Sequence, residues 1–393
     1  MKRATLSKIV VFAVAVTALS FPNDGASARD ISGTKCSKIN QRRVVSRVTY
    51  NCRRVGGRLV WQRVGSPTTP PTLAPAPTTP PVPGAAAVVA AKINSDVDRM
   101  RTLNQPVPEV VINFSPSVLE VDRELSRRFV NGFFRYGPFG VLRGYRLGIG
   151  IGADQAETVA MAKECCNFDW PYGEIAGAYG GTGEYAMVLS NIMVHQCGIR
   201  APDWCTNAQR TRRTQVRPGF GSNLAHEISH AGKVALMGFD PTRSNAHLYS
   251  LPAWYATGIS NVFGWMIAAI VTESPFSNPS TNAKDVALCA AYPIELVSGM
   301  MADTCRGIGG GDLAAEILVA RFGLDRALEF TSASRDVPDR RTWTHWAEPW
   351  APIFQRLFLQ TPESFSRDVE MYRTAVMKGT ALPPDFLEAK PRP

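Results

Sequence analysis

Histidine is the scarcest chemically useful side chain here, with five in 393 residues, so imidazole chemistry can rest on very few positions. The eight cysteines never stand in C-x-x-C spacing, which sets aside a cysteine metal site. The glycine run Gly180-Gly181-Thr182-Gly183 lacks both the lysine and the following helix of a phosphate loop, so it reads as a turn. Beyond the N-terminus no apolar run reaches membrane-spanning length, and Val262 to Val271 fits a buried helix. Residues 29–65 carry only Tyr50 and Trp61 as aromatics, too few for a base-stacking platform, which argues against specific nucleic-acid recognition.

What the chain does contain is His226-Glu227-Ile228-Ser229-His230, the pattern H-E-x-x-H. Leu224, Ala225, Ile228 and Ala231 supply the apolar flank of a helix, and Ser222 or Asn223 is placed to cap its first turn. Spacing i, i+4 sets both imidazoles on one helical face, where their nitrogens can share a divalent ion, usually zinc. Glu227 then sits at the edge of the same site, able to take a proton from the attacking water. A catalytic zinc normally has three protein ligands, so a third donor must be sought.

Downstream, Pro252-Ala253-Trp254-Tyr255-Ala256-Thr257-Gly258 resembles the P-x-W-x-x-E-G helix of gluzincin-like secreted metallopeptidases. The frame matches at proline, tryptophan and glycine, with Thr257 where that family has its third-ligand glutamate. Asn261 stands where some relatives place an acid that orients the first histidine. A threonine hydroxyl is a weak zinc ligand, so His247, Asp240 and Glu273 are weighed as substitutes, with His247 the best donor by chemistry. The metzincin pattern fails, because Leu236 and Lys233 stand where its third histidine and its glycine belong. The resemblance implies an α+β, zincin-like two-lobed domain: a small mixed sheet with the active-site helix, then a helical lobe. It implies zinc held by His226 and His230, Glu227 as general base, and Tyr249 or Tyr255 as oxyanion stabiliser. The function implied is hydrolysis of extracellular proteins or peptides. The rival is a catalytically inactive zincin-fold pseudo-peptidase, a wall-associated binding or structural protein, which Thr257 and Asn261 would explain.

Residues 1–28 read as a secretory signal, with basic Lys2, Arg3 and Lys8, an apolar stretch from Ile9 to Leu19, and an Ala26-Ser27-Ala28 cleavage site. The expected location is therefore secreted, extracellular or cell-wall associated. Export makes disulfides the natural use of the cysteines. Cys36 with Cys52 and Cys289 with Cys305 pair most simply, while Cys165, Cys166, Cys197 and Cys205 leave two crossings open. Residues 29–65 form a small two-cysteine module whose Gly33-Thr34-x-Cys36, Tyr50-x-Cys52 and Leu59-Val60-Trp61 resemble a short repeat of secreted actinobacterial proteins. Its net charge is +9, against −1 for residues 66–393, so it is expected to hold an anionic surface such as a cell-wall polymer. Residues 66–84, with eight prolines and five threonines, are a Pro/Thr-rich linker able to reach on the order of 60 Å.

The remaining stretch, 85–393, is the zincin-like domain. Asn94 to Leu103, Ser117 to Phe134, Ala283 to Met301 and Gly311 to Glu329 read as helices, with Gly323 as a stop. Tyr145 to Gly152 and Glu184 to His195 read as strands, the second as an edge strand for substrate backbone. Thr361-Pro362-Glu363-Ser364 reads as a cap opening the final helix. His345 is expected among Trp343, Trp346 and Trp350, as core or groove lining.

Overall fold

The computed structural model describes residues 34–63, 84–166, 176–179, 186–191, 218–288 and 310–391, with short breaks at 46–47, 56, 109, 243–245, 282, 340–341 and 343–348. The chain divides into a unit over Leu19–Pro81 and a larger one comprising Met1–Ala18 and Val82–Pro393.

The smaller unit is a three-stranded antiparallel sheet of β1 (Arg42–Val45), β2 (Val48–Val55) and β3 (Arg58–Arg63), in that order. Gly57 turns the β2–β3 hairpin at φ 82°, a left-handed conformation that glycine adopts without a Cβ penalty. One face carries the core: Tyr50, Cys52 and Trp61 pack with Cys36. Cys36 and Cys52 are joined by a disulfide with Cα atoms 5.9 Å apart. So small a core needs that covalent link.

The larger unit mixes helices with a second sheet. Its strands β4 (Val110–Phe114), β5 (Leu147–Gly152), β6 (Ala176–Tyr179) and β7 (Ala186–Asn191) lie in the order β4-β5-β7-β6. β4, β5 and β7 are parallel, and β6 runs antiparallel along β7. Strand β7 is therefore interior, bonded on both sides, and not the edge strand expected over Glu184 to His195. The near-continuous apolar run Ala186-Met187-Val188-Leu189 is the sequence pattern of an interior parallel strand. The edge beside it belongs to β6.

Between strands run α1 (Ala85–Arg101), α2 (Glu120–Tyr136) and α3 (Gln155–Cys166). Helix α1 starts nine residues before Asn94 because the alanine-rich segment Ala85-Ala86-Ala87-Val88-Val89 continues it backwards. The start of α3 is capped by Asp154, whose Oδ1 accepts from Glu157 N–H, while the Glu157 carboxylate accepts from Ala153 N–H, one residue before the cap. That carboxylate also accepts from Ser115 and Ser117 beyond the end of β4.

The remaining elements are α4 (Pro218–Leu236), α5 (Ala253–Val271), α6 (Ala283–Leu288), α7 (Gly310–Phe322), α8 (Leu324–Ala333), α9 (Ala351–Phe358) and α10 (Pro362–Lys378). Helix α4 begins four residues before Ser222, with proline at its first position, so Ser222 is internal and its hydroxyl bonds back to Gly219 O. Gly311 to Glu329 is two helices, because Gly323 takes φ 79° between them. Thr361 caps α10 as expected, accepting from Ser364 N–H at 3.2 Å. Helix α5, at 19 residues, is long and apolar enough to cross a bilayer, unlike the expectation for this region, but 83% of that window is buried in the fold. A helix apolar on all sides belongs in a core.

Arg321 on α7 ties this core to the C-terminal segment. It donates to Asp368 Oδ2 at 2.7 Å and to Phe386 O at 2.7 Å, and stacks 4.4 Å over the Phe386 ring. Arg321→Met would leave the Asp368 carboxylate buried without its counter-charge, a loss of about 3–5 kcal/mol. Denaturant unfolding should show it; a loss below about 1 kcal/mol, ordinary for an exposed ion pair, would exclude this role.

Candidate metal centre

Helix α4 presents bare backbone to aromatic rings where its glycines lie. A Cβ on Gly221 would stand 2.0 Å from the Phe129 ring, and one on Gly232 would stand 2.4 Å from Phe139 Cδ1. Helices α4 and α5 run antiparallel, with Ser222 opposite Gly264, Ser229 opposite Ser260 and Lys233 opposite Ala256. At Gly264 they touch backbone to backbone, where an added Cβ would fall 2.2 Å from Ser222 O. A similar crossing brings in α7: a Cβ on Gly258 would lie 2.2 Å from Gly311 O.

These close approaches set the geometry of the motif. His226 and His230 share one helical face, and their Nε2 atoms are 3.0 Å apart. The Glu227 carboxylate lies 3.7 Å from the first and 3.9 Å from the second. The ligand atoms of all three residues fall within 4.8 Å of one another, a group that could hold a metal ion. Two nitrogens on a tetrahedral zinc with ~2.05 Å bonds stand about 3.3 Å apart, so the pair needs to open only slightly. Among the described residues no other cluster of histidine, cysteine, aspartate and glutamate meets this test.

Burial pushes the His226 pKa down to about 3, the nearby Lys233 charge adds to the effect, and hydrogen bonding to Asn261 opposes it. The ring is therefore neutral at ordinary pH, with a lone pair available to a cation. Its Nδ1 is buried without a partner of good hydrogen-bond geometry, and Asn261 is the neighbouring group. Asn261 Nδ2 in turn donates to Asp312 Oδ1 at 2.7 Å. A carboxylate from α7 thus lies one residue removed from the histidine, behind the neutral Asn261.

The polar chain continues behind the site. Glu316, one turn beyond Asp312, is buried and its pKa rises to about 7, chiefly by desolvation. It accepts from Tyr372 Oη at 2.7 Å and from Thr281 Oγ1 at 2.9 Å.

Lys233, read from the sequence only as a departure from the metzincin pattern, is a buried neighbour of the motif. It lies seven residues after His226, on the same helical face, and is fully buried. Its ammonium donates to Ala256 O and to Ser260 Oγ, and Ser229 Oγ reaches the same Ser260 at 2.7 Å. Helical periodicity would have found it. Asp312, 51 residues from Asn261, had no local signal.

The other sequence candidates are placed as follows. Thr257 is half-buried, one turn before Asn261 on the same side of α5. Tyr255 is fully buried and its hydroxyl is committed to α8, donating to Ala327 O at 2.6 Å beside Thr331 Oγ1 at 2.9 Å. Burial raises its pKa, and its hydroxyl is thus oriented toward the core and away from an oxyanion role. Tyr249 is half-buried in the short 3-10 segment Ala246–Ser250. His247 stacks on Phe239, with ring centroids 3.5 Å apart, and is not part of the three-residue group. Asp240 accepts from Thr242 N–H and Oγ1, as a turn residue does. Glu273 follows α5 at φ 54°, and neither acid joins the group. His195, His345, Trp343, Trp346, Cys197, Cys205, Cys289 and Cys305 lie outside the described residues, and for Cys165 and Cys166 only the backbone, at the end of α3, is described. No family model, no characterised protein and no solved structure matches the chain.

Proposed function

We propose that this chain is a zinc-dependent peptidase of gluzincin-like type, exported and held near an acidic surface by its basic N-terminal unit. The observation that carries the reading is the meeting of His226 Nε2 and His230 Nε2 at 3.0 Å with the Glu227 carboxylate beside them. His226 and His230 would hold the zinc, with Asn261 and Asp312 fixing the His226 ring from behind. Zinc, when bound, polarises the scissile carbonyl and acidifies water. Glu227 takes the proton from the attacking water and delivers it to the departing amine nitrogen. Thr257, on the α5 face that bears Asn261, is the candidate third donor.

Elemental analysis of purified protein tests the reading: one zinc per chain is expected, and a metal-free preparation that takes up no zinc on titration would end it. Thr257→Glu supplies the carboxylate that the resembling family has at this place. Its zinc affinity, measured by competition with a chelator, is expected to rise on the order of tenfold or more. An unchanged affinity would show that residue 257 does not face the metal.

One observation favours the second reading, a pseudo-peptidase. The Lys233 ammonium is buried close enough to act on His226, and a fixed cation opposes a second one. If Lys233 has taken over the bridging of α4 to α5, Lys233→Met would lose stability and gain zinc affinity. A functioning zinc site, already filled in the parent, would lose stability with no rise in zinc bound per chain.

A further inference from the structure

The small unit carries a face that its own core leaves uncovered. Residues 34–63 contain seven arginines, two lysines and no acid, so none of these cations can be paired within that stretch. Residues in register across an antiparallel sheet share a face. Tyr50, Cys52 and Trp61 occupy one face, and Arg42, Asn51 and Gln62 form a row on the other. The next rows on that outer face are Arg53 with Val60, then Val55 with Arg58.

The register therefore lays Arg42, Arg53 and Arg58 along a diagonal, one per strand, all exposed. Each step crosses one strand and advances two residues, so the Cα atoms stand about 8 Å apart. Val44 and Val55 flank the diagonal at 65% and 48% exposure, large values for valine with nothing packed on it. The only aromatics of residues 34–63, Tyr50 and Trp61, are buried at 4% and 5% exposure, so these residues give the arginine face no stacking surface.

We infer that this face binds a phosphodiester polymer that carries no bases, with Arg42, Arg53 and Arg58 each taking a successive phosphate and the valines lying under its alkyl links. Guanidinium groups suit phosphate because their planar fork donates two parallel hydrogen bonds. Missing π surfaces tell against nucleic acid, which single-strand binders grip by stacking as well as by charge. This deepens the tethering half of the proposed function and needs neither zinc nor hydrolysis, so its failure leaves the metal centre untouched.

The test uses the full chain and immobilised poly(glycerol phosphate), with binding measured across a salt series. Removing three phosphate contacts, as Arg42→Gln with Arg53→Gln and Arg58→Gln, should lower the slope of log affinity against log salt by about 2. A charge-matched variant off the diagonal, Lys38→Gln with Arg43→Gln and Arg54→Gln, should lower it by less than half as much. Polyglutamate and single-stranded DNA of matched charge should bind more weakly than poly(glycerol phosphate). Equal losses in the two triple variants, or equal binding of all three polymers, would reduce the face to unspecific charge and overturn the inference.

Discussion

Glu227→Gln is expected to abolish peptide hydrolysis, by about 10²–10⁴-fold, the usual contribution of a positioned general base. The change is isosteric and keeps both imidazoles, so the fold should be indistinguishable from the parent by circular dichroism and thermal unfolding. Metal content in the same sample then assigns the role of the carboxylate. It lies 3.7 Å and 3.9 Å from the two Nε2 atoms, near enough to serve either as base or as donor. Zinc retained with hydrolysis lost identifies a base. Zinc lost together with hydrolysis identifies Glu227 as the third ligand, and the water would then need another proton acceptor. Activity within tenfold of the parent would rule out both.

Gly264→Ala should unsettle the fold and the site together. The added Cβ would stand 2.2 Å from Ser222 O and 3.0 Å from Ser222 C, both backbone atoms that no rotamer change can move. Helices α4 and α5 must separate to admit it, at the upper end of the cost of overpacking, about 3 kcal/mol or more. The separation also draws Asn261 away from His226, so zinc affinity should fall with stability. Gly219→Ala, on the partner helix α4, is the control, since its Cβ meets only Trp265 Cη2 at 3.8 Å, an ordinary contact. Denaturant unfolding should place it within about 1 kcal/mol of the parent, on the stabilising side if helix propensity prevails. Equal effects from the two glycines would mean that backbone contact at residue 264 does not fix the helix pair.

Much of the site was legible because its signal is short-range. The i, i+4 spacing of His226 and His230 needs only a helix to bring the rings together, and the apolar pattern around them specified that helix. The Cys36–Cys52 link, over 16 residues, was legible for the same reason. Ser222 was misread as a cap because two glycines precede it, and their packing against α2 and α5, visible only in three dimensions, lets the helix start earlier. The long β-forming run ending near His195 was read as an edge strand because periodicity cannot report how many neighbours a strand has. Asp312 escaped notice altogether. Its partnership with Asn261 depends on α7 crossing α5 at Gly258 and Gly311, a meeting of segments some fifty residues apart.

Helix α7 bears Asp312 in its first turn and Arg321 in its last, and a helix of three to four turns moves as a rod. Arg321 is clasped by Asp368 and Phe386. Loss of Asp368 and Phe386 would therefore unclasp one end of the helix whose other end holds Asn261.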